Sequence, residues 1–423
     1  MAEKAEKLVV NGGKEISGSV RLSGSKNNAA PVLAATLLSS SPFIIDNLPL
    51  IEDVFKTIKL LESMGAEVEW LNERKIKINT GGVNPETINL SLIGETRMSV
   101  LMIGPLLARF GHFKYSSPGG DKIGLRPIDT HIEAFKKLGA HIRKDGDLYL
   151  FDKGEMTAKE IILGEFSPTA TENIMMTAAL LPGKTTLKIA ATEPHIQDLG
   201  VMLQKMGAGI SDLGSHTIEI EGRAELSGVE HRIIPDYLEA GTFFLVGALT
   251  AKELRIDEFP YGDLDLFLAK MEEMGVDYER HDGYLVVRKS LNLKAVKIQA
   301  LPHPGFPTDI LPITVSLLTQ AVGRSLIHDP LYENRLNFIH ELRKMGADIE
   351  LVDPHRAFVF GKTPLVGTKI SSLDIRAGAS LVVAALVAKG QTIIENIYQI
   401  DRGYEKIEEK LFALGADIKR VRG

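Results

Sequence analysis

Lys344-Met345-Gly346-Ala347-Asp348-Ile349-Glu350 is one of six near-copies of a single phrase in this chain. The others are Ser63-Met64-Gly65-Ala66-Glu67-Val68-Glu69, Lys137-Leu138-Gly139-Ala140-His141-Ile142-Arg143, Lys205-Met206-Gly207-Ala208-Gly209-Ile210-Ser211, Glu273-Met274-Gly275-Val276-Asp277-Tyr278-Glu279 and Ala413-Leu414-Gly415-Ala416-Asp417-Ile418-Lys419. Successive glycines stand 74, 68, 68, 71 and 69 residues apart, so one unit recurs over the whole length. The phrase reads as a helix that stops at a glycine just past its last turn, where the left-handed conformation costs little, followed by a strand.

Outward from the phrase, the rest of the unit repeats too. A run rich in small residues, of helical character, precedes each copy, at 27–38, 98–110, 171–181, 238–250, 310–320 and 377–388. A turn and a short strand follow, as at 42–45, 186–189 and 392–395. Then come the amphipathic helix ending at the glycine and a hairpin, as at 75–79 or 217–221. Each unit is therefore an α/β module of two helices and four strands.

The sixth copy stops at Val421-Arg422-Gly423, before a second hairpin strand. The segment Lys7-Leu8-Val9-Val10-Asn11-Gly12-Gly13 resembles that strand as it stands in Lys77-Ile78-Asn79-Thr80-Gly81. The expectation is that the N-terminal strand crosses over to complete the last unit. One domain then holds residues 1–24 plus 235–423, and the other holds 25–234 with the Gly-rich loop 117–126. Two hinge segments, near 21–24 and 234–236, join them. A continuous solenoid is the alternative, and a strand shared between the chain ends argues for closed domains instead.

A chain of 423 residues is too long for one ordinary core. The balance of 44% hydrophobic and 25% charged residues is that of a globular protein. A net charge of −6 gives no basic field for nucleic acid, so phosphate binding must come from local Lys and Arg clusters. The absence of cysteine excludes a disulfide framework, a thiolate metal site and a thiol nucleophile. The first residues carry no apolar signal-peptide core, and no apolar run reaches membrane-spanning length; the longest, 377–388, is that of a core helix. A cytoplasmic monomer acting on small molecules, with no nucleic-acid or membrane partner, is expected.

Superposing the six units shows where unusual residues collect. Lys26, Arg97 and Arg376 begin first helices, while Arg126, Arg335 and Arg402 precede second helices. A cation at a helix N-terminus is repelled by the dipole, and helix stability favours Asp or Ser there. Any one such residue reads as a solvated surface cation. Six at one end of the units read as a site for phosphate and carboxylate. Two aspartates share the layer. Asp309 follows Pro302-His303-Pro304-Gly305-Phe306-Pro307-Thr308 and alone would be an ordinary N-cap, and Asp121 sits in the loop Pro118-Gly119-Gly120-Asp121-Lys122-Ile123-Gly124.

Several other motifs fail. Gly183-Lys184-Thr185 looks like the end of a phosphate-binding loop, but Ala178 takes the place of its first glycine. The 11 histidines form no HExxH and no ligand cluster, so no metal is expected. His131, after Asp129, reads as a helix-start hydrogen bonder, and His303 and His340 are unremarkable. No GxGxxG follows a strand.

Taken together, Ser23-Gly24-Ser25-Lys26-Asn27, the loop from Pro118 through Arg126-Pro127-Ile128-Asp129 to His131, Ala170-Thr171-Glu172-Asn173-Ile174-Met175, Phe306-Pro307-Thr308-Asp309, Glu333-Asn334-Arg335, Asp374-Ile375-Arg376 and Asp401-Arg402-Gly403-Tyr404-Glu405 resemble the UDP-N-acetylglucosamine enolpyruvyl (1-carboxyvinyl) transferases, over nearly the full chain and in order. The resemblance implies two inside-out α/β domains of three units each, joined by a double-stranded hinge. It also implies transfer of enolpyruvate from phosphoenolpyruvate to the 3′-hydroxyl of UDP-N-acetylglucosamine, without metal or organic cofactor. By resemblance Asp309 is the base, Lys26, Arg126 and Arg402 hold the phosphoryl group, and Arg335 and Arg376 help hold the carboxylate. Asn27 and Arg97 are substrate contacts. Arg126, Pro127, Ile128, Asp129 and Thr130, with Ser167, bind the nucleotide part, and Leu331 touches the sugar.

The chain departs from the family pattern at four places. Asp121 stands where most members carry cysteine and a minority aspartate; as the acid acting at C3 of phosphoenolpyruvate it needs a raised carboxyl pKa, and the alternative is another role such as loop closure, while insensitivity to the thiol-alkylating epoxide fosfomycin is expected. Glu165 stands where lysine is common, Thr169 replaces glycine, and Tyr237 replaces arginine. The rival readings are enolpyruvyl transfer to shikimate 3-phosphate or another acceptor, whose Gly-Ser-Lys-Ser start is not matched at Gly24-Ser25-Lys26-Asn27, and a non-catalytic UDP-sugar-binding paralogue.

Overall fold

The computed structural model describes residues 6–120 and 123–422. Within them all six phrase glycines have positive φ, and Gly139, Gly207 and Gly275 are left-handed C-caps of the helices Asp129–Leu138, Pro194–Met206 and Asp265–Met274. The described chain divides into two compact units. The middle unit comprises 24–120 and 126–234, and the terminal unit comprises 6–23, 123–125 and 235–422. Each has its own hydrophobic core.

The cores are built on helices buried all round, as an apolar periodicity without a polar face requires. Every residue of Tyr237–Thr250 is buried, as are residues 375–386 of Ile375–Val387 in the terminal unit. In the middle unit residues 170–179 of Pro168–Ala179 are buried. Neighbouring chain comes very close to these helices: a Cβ on Gly241 would lie 2.5 Å from Ile310 Cδ1.

Small sheets surround the helices. In the terminal unit Glu6–Asn11 lies between Gln391–Glu395 and Asp417–Arg422, antiparallel to both, and Ile16–Arg21 runs parallel to Ala251–Asp257. In the middle unit Glu230–Arg232 runs parallel to Phe43–Asp46, and Glu160–Ile162 to Gly183–Lys188. Five of the six sheets among the described residues have four strands. The sixth, of His112–Ser116, Leu148–Asp152 and His141–Asp145, has three, which corrects the expectation of four strands in every unit. The preceding segment forms a 3-10 turn, Pro85–Thr87, and a short helix, Leu90–Ile93, instead of an edge strand. Asn84 and Asn89 cap these turns through their side chains, a local bonding that competes with a strand ladder. No helix among the described residues is long and apolar enough to cross a membrane.

Candidate active site

In the middle unit Lys26 opens the helix Lys26–Ala35, which Ser25 caps by accepting from Asn28 N. Its ammonium lies 2.7 Å from Asp53 Oδ2, and the Asp53 side chain is 1% exposed. Asn27 beside it is half-buried. The same helix packs on the 3-10 segment Arg97–Met102, so Lys26 and Arg97 start neighbouring elements. Arg97 thus begins a 3-10 stretch, and the α-helix of that unit follows at Ile103–Phe110.

Arg97 Nη2 donates to Pro127 O at 3.3 Å. Gly120, with φ of 131°, passes beside both cations: a Cβ there would stand 2.9 Å from Arg97 Cβ and 3.3 Å from Arg126 Nη1. Only glycine fits this backbone at this distance. Ile128 is buried, and Asp129 and Thr130 open the helix Asp129–Leu138. Thr130 Oγ1 donates to Glu165 Oε1 at 2.8 Å, and Ser167 caps the helix Pro168–Ala179. His131 Nε2 shares a hydrogen bond of 2.9 Å with Thr169 Oγ1. Burial, reinforced by the nearby Arg97 charge, pushes the His131 pKa down to about 3, so the ring is neutral and serves the hydrogen-bonding role expected of it. Hydrogen bonds from Thr130 to Glu165 and between His131 and Thr169 therefore bring the end of the 126–131 segment beside the one that holds Ser167.

In the terminal unit Asp309 is not an N-cap. The helix starts at Leu311 with Ile310 at the capping position. The Asp309 carboxylate instead accepts from Arg335 Nη2 at 2.7 Å through Oδ1 and from Arg376 Nε at 3.1 Å through Oδ2. Asp374 does the capping expected of such a residue, taking Arg376 N and Ala377 N at the start of Ile375–Val387. The Arg335 and Arg376 side chains are 3% and 5% exposed, against 26% for Asp309. Burial works against both guanidinium charges, yet Asp309, with Asp374 and Asp329 at Arg335 and Tyr404 and Asp236 at Arg376, holds both pKa values above the ordinary range. Each cation also lies over an aromatic ring, Arg335 over Tyr332 at 4.8 Å and Arg376 over Tyr404 at 5.4 Å.

Arg402 is buried at the end of the short helix Tyr398–Asp401 and donates to Gln399 Oε1 at 2.9 Å. That helix packs on Ile375–Val387 and so sets Arg402 near the Arg376 element. Leu331 is 40% exposed, in a loop fixed by Asp329, which accepts from Leu331 N and Tyr332 N. Ile123 O accepts from Asn334 N at 3.0 Å, next to Arg335. Asp121 lies outside the described residues. Asp53, beside Lys26, and Asp329, beside Arg335, emerge from the structure. Asp53 looks in the sequence like a first-turn acid that suits the helix dipole, and burial alone distinguishes it. Among the described residues no group of His, Cys, Asp and Glu is placed to hold a metal ion.

In the terminal unit two buried guanidiniums share a half-open carboxylate, and in the middle unit a Lys–Asp pair stands at a helix start; each by itself suits an anionic group, and a carboxylate of this kind suits proton transfer. The sequence profile of the EPSP synthase (3-phosphoshikimate 1-carboxyvinyltransferase) family matches residues 10–411, and the chain belongs to that family. Its relatives include the UDP-N-acetylglucosamine 1-carboxyvinyltransferase of Koribacter versatilis, 42% identical over 98% of this chain and 96% of the relative. UDP-N-acetylglucosamine 1-carboxyvinyltransferase 1 of Caldanaerobacter subterraneus is 43% identical over 98% and 99%. Among solved structures, the enolpyruvyl transferase NikO from Streptomyces tendae superposes with a TM-score of 0.90 at 25% identity over 99% of this chain and all of that one. EPSP synthase from Acinetobacter baumannii, at 17% identity and a TM-score of 0.75, covering 99% and 100%, shares the two-domain fold.

Proposed function

We infer that this chain transfers the enolpyruvyl group of phosphoenolpyruvate to the 3′-hydroxyl of UDP-N-acetylglucosamine, releasing phosphate. This is the first committed step of peptidoglycan synthesis, on which cell-wall biogenesis, cell shape and cell division depend. The observation that carries the chemistry is Asp309, a carboxylate seated between two buried guanidiniums. The acceptor is taken from the names of relatives similar from end to end.

The reaction is addition followed by elimination. The sugar oxygen attacks C2 while C3 is protonated, giving a tetrahedral phospho-ketal. Loss of a C3 proton and departure of phosphate then regenerate the double bond. Asp309 takes the proton of the attacking hydroxyl. Lys26, Arg126 and Arg402 neutralise the phosphoryl group as it leaves, and Arg335 and Arg376 hold the carboxylate. Asn27 and Arg97 contact substrate, Ser167 with Arg126, Pro127, Ile128, Asp129 and Thr130 binds the nucleotide part, and Leu331 touches the sugar. For Asp121 to act as the C3 acid its carboxyl pKa must be raised, by desolvation or by the substrate's negative charge; the alternative role for it is loop closure. The chemistry calls for no metal or organic cofactor, and we place the protein in the cytoplasm as a monomer.

Phosphate release tests the assignment. It is expected with phosphoenolpyruvate plus UDP-N-acetylglucosamine. Release with shikimate 3-phosphate instead would reassign the acceptor, and release with neither would leave a binding protein.

A further inference from the structure

We propose that in the free protein Asp309 occupies the carboxylate receptor formed by Arg335 and Arg376, so that the substrate carboxylate must displace the base and thereby releases it for proton transfer. The naming of that substrate as phosphoenolpyruvate rests on the function proposed above.

Asp309 gives one oxygen to each guanidinium, at 2.7 and 3.1 Å. This bridging grip is what a ligand carboxylate would receive from two arginines. Two of the remaining donors are closed to a ligand from solvent. Arg335 Nε and Arg376 Nη1 are shielded from solvent and have no hydrogen-bond partner. The receptor therefore opens to solvent on the side that Asp309 fills, since Asp309 is 26% exposed while the arginines are 3% and 5% exposed. A second carboxylate placed on the same two forks would meet Asp309 as a like charge at close range, a strongly unfavourable arrangement. One of the two must leave.

Asp309 is the one built to leave. It precedes the helix Leu311–Leu318, whose capping position is Ile310, and it is the most exposed of the three side chains. The arginines are anchored independently. Arg335 Nε faces the fully buried Asp329 at 3.9 Å and its guanidinium lies over Tyr332, while Arg376 lies over Tyr404. They stay in place when Asp309 swings out. The base is thus paired, and a weak proton acceptor, until an anion of the right shape arrives. A donor lacking the carboxylate would bind without releasing it.

Two anions test this: phosphoenolpyruvate, and pyruvate, which has the carboxylate and no phosphate. Each is titrated into the wild-type protein, Asp309→Asn and Asp309→Ala at low and high salt. The Asp309 carboxyl carbon is followed by NMR in the wild type, and thermal unfolding checks that each variant folds. Displacement predicts that both variants bind both anions at least about tenfold tighter than wild type, a difference of about 1.4 kcal/mol that persists at high salt. It also predicts that anion binding moves the wild-type Asp309 resonance to that of a solvated aspartate. Anion binding that leaves this resonance in place overturns the proposal. So does affinity that is unchanged or weaker in a folded variant, and so does a receptor that takes neither anion in any of the three proteins. Failure of the proposed function reads separately, as no phosphate release by the wild type with tightening of pyruvate still present.

Discussion

Lys26 Nζ and Asp53 Oδ2 stand 2.7 Å apart, with the Asp53 side chain 1% exposed and that of Lys26 12% exposed. A cation at the start of a helix gains nothing from the dipole, and this one is stabilised by a carboxylate from the neighbouring helix Glu52–Ser63. Removing the carboxylate leaves a largely buried charge without that compensation. Asp53→Ala is expected to lose about 3–5 kcal/mol in urea unfolding. Asp53→Asn, which keeps the shape, is expected to lower kcat/KM for phosphoenolpyruvate by about tenfold or more, with Asp53→Glu recovering part of it. Unchanged kinetics in a folded Asp53→Asn protein would remove Asp53 from the positioning of Lys26.

The His131 pKa, pushed down to about 3 by burial and by Arg97, has a consequence for acid stability. The unfolded chain takes up a proton near pH 6.5, and the folded ring refuses it until about pH 3. Between those values the unfolded state binds more protons, so stability falls as pH falls, by about 1.4 kcal/mol per unit. His131→Gln, which keeps a partner for Thr169, should flatten this part of the stability profile. NMR titration of the wild type should show a ring that stays neutral from pH 8 down to about 4. A midpoint near 6.5 would refute the assignment.

The opposite sign applies to Glu172. It is 1% exposed, and burial, with Glu193 adding to it, raises its pKa well above the ordinary value of a glutamate. Here the folded state holds the proton longer than the unfolded one. The stability contribution is fully present below about pH 4.5 and is lost as pH rises toward the folded value. Glu172→Gln, neutral throughout, should match the wild type near pH 4 and exceed it by more than about 1 kcal/mol at pH 8. Denaturant midpoints at the two pH values decide it, and equal midpoints at pH 8 would mean that the carboxylate is compensated.

The repeated α/β architecture was legible because it is written six times. A glycine that must adopt positive φ, the helix before it and the strand after it leave a periodic trace that no single copy would. Lys7-Leu8-Val9-Val10-Asn11 reads as a strand for the same reason, and Glu6–Asn11 pairs with Asp417–Arg422. The unit that lost its edge strand was not legible as such. Pro85, Asn84 and Asn89 are ordinary loop residues until their capping bonds are seen. For the site, the recurrence of Lys and Arg at helix starts picked out the cations, because those positions disfavour them energetically. The pairing of these cations was not legible. Asp53, Asp329 and Asp374 occupy positions where an aspartate suits a helix or turn anyway. Asp309 taken alone would read as a cap, and the structure puts Ile310 at that position; it was the family resemblance that marked Asp309 as the base.

Asp121 carries a prediction from the sequence alone. A carboxylate is a far weaker nucleophile toward an epoxide than a thiolate, and a thiol with a pKa near 8.5 supplies some thiolate at neutral pH. The wild-type enzyme should keep its activity in fosfomycin. Asp121→Cys should be inactivated with time and gain the mass of one inhibitor molecule. Time-dependent inactivation of the wild type, with a matching mass shift on the protein, would contradict this reading of the loop.

The phrase glycines allow two costs to be measured apart. Gly207 and Gly139 both end helices in nearly the same backbone conformation, with φ of 114° and 118°. Around Gly207 a Cβ would meet nothing within 4 Å, whereas at Gly139 it would stand 2.7 Å from Glu155 O and 3.1 Å from Glu155 C. Gly207→Ala therefore reports the left-handed backbone alone, about 1–2 kcal/mol, offset in part by the lower entropy of the unfolded alanine chain. Gly139→Ala adds a clash with main chain, which cannot rotate away as a side chain can, and overpacking of this kind costs a further 1–3 kcal/mol, roughly. Urea unfolding should rank the two in that order. Equal losses would mean that the segment holding Glu155 yields, and that the phrase needs glycine for its dihedral angles and not for the space it leaves.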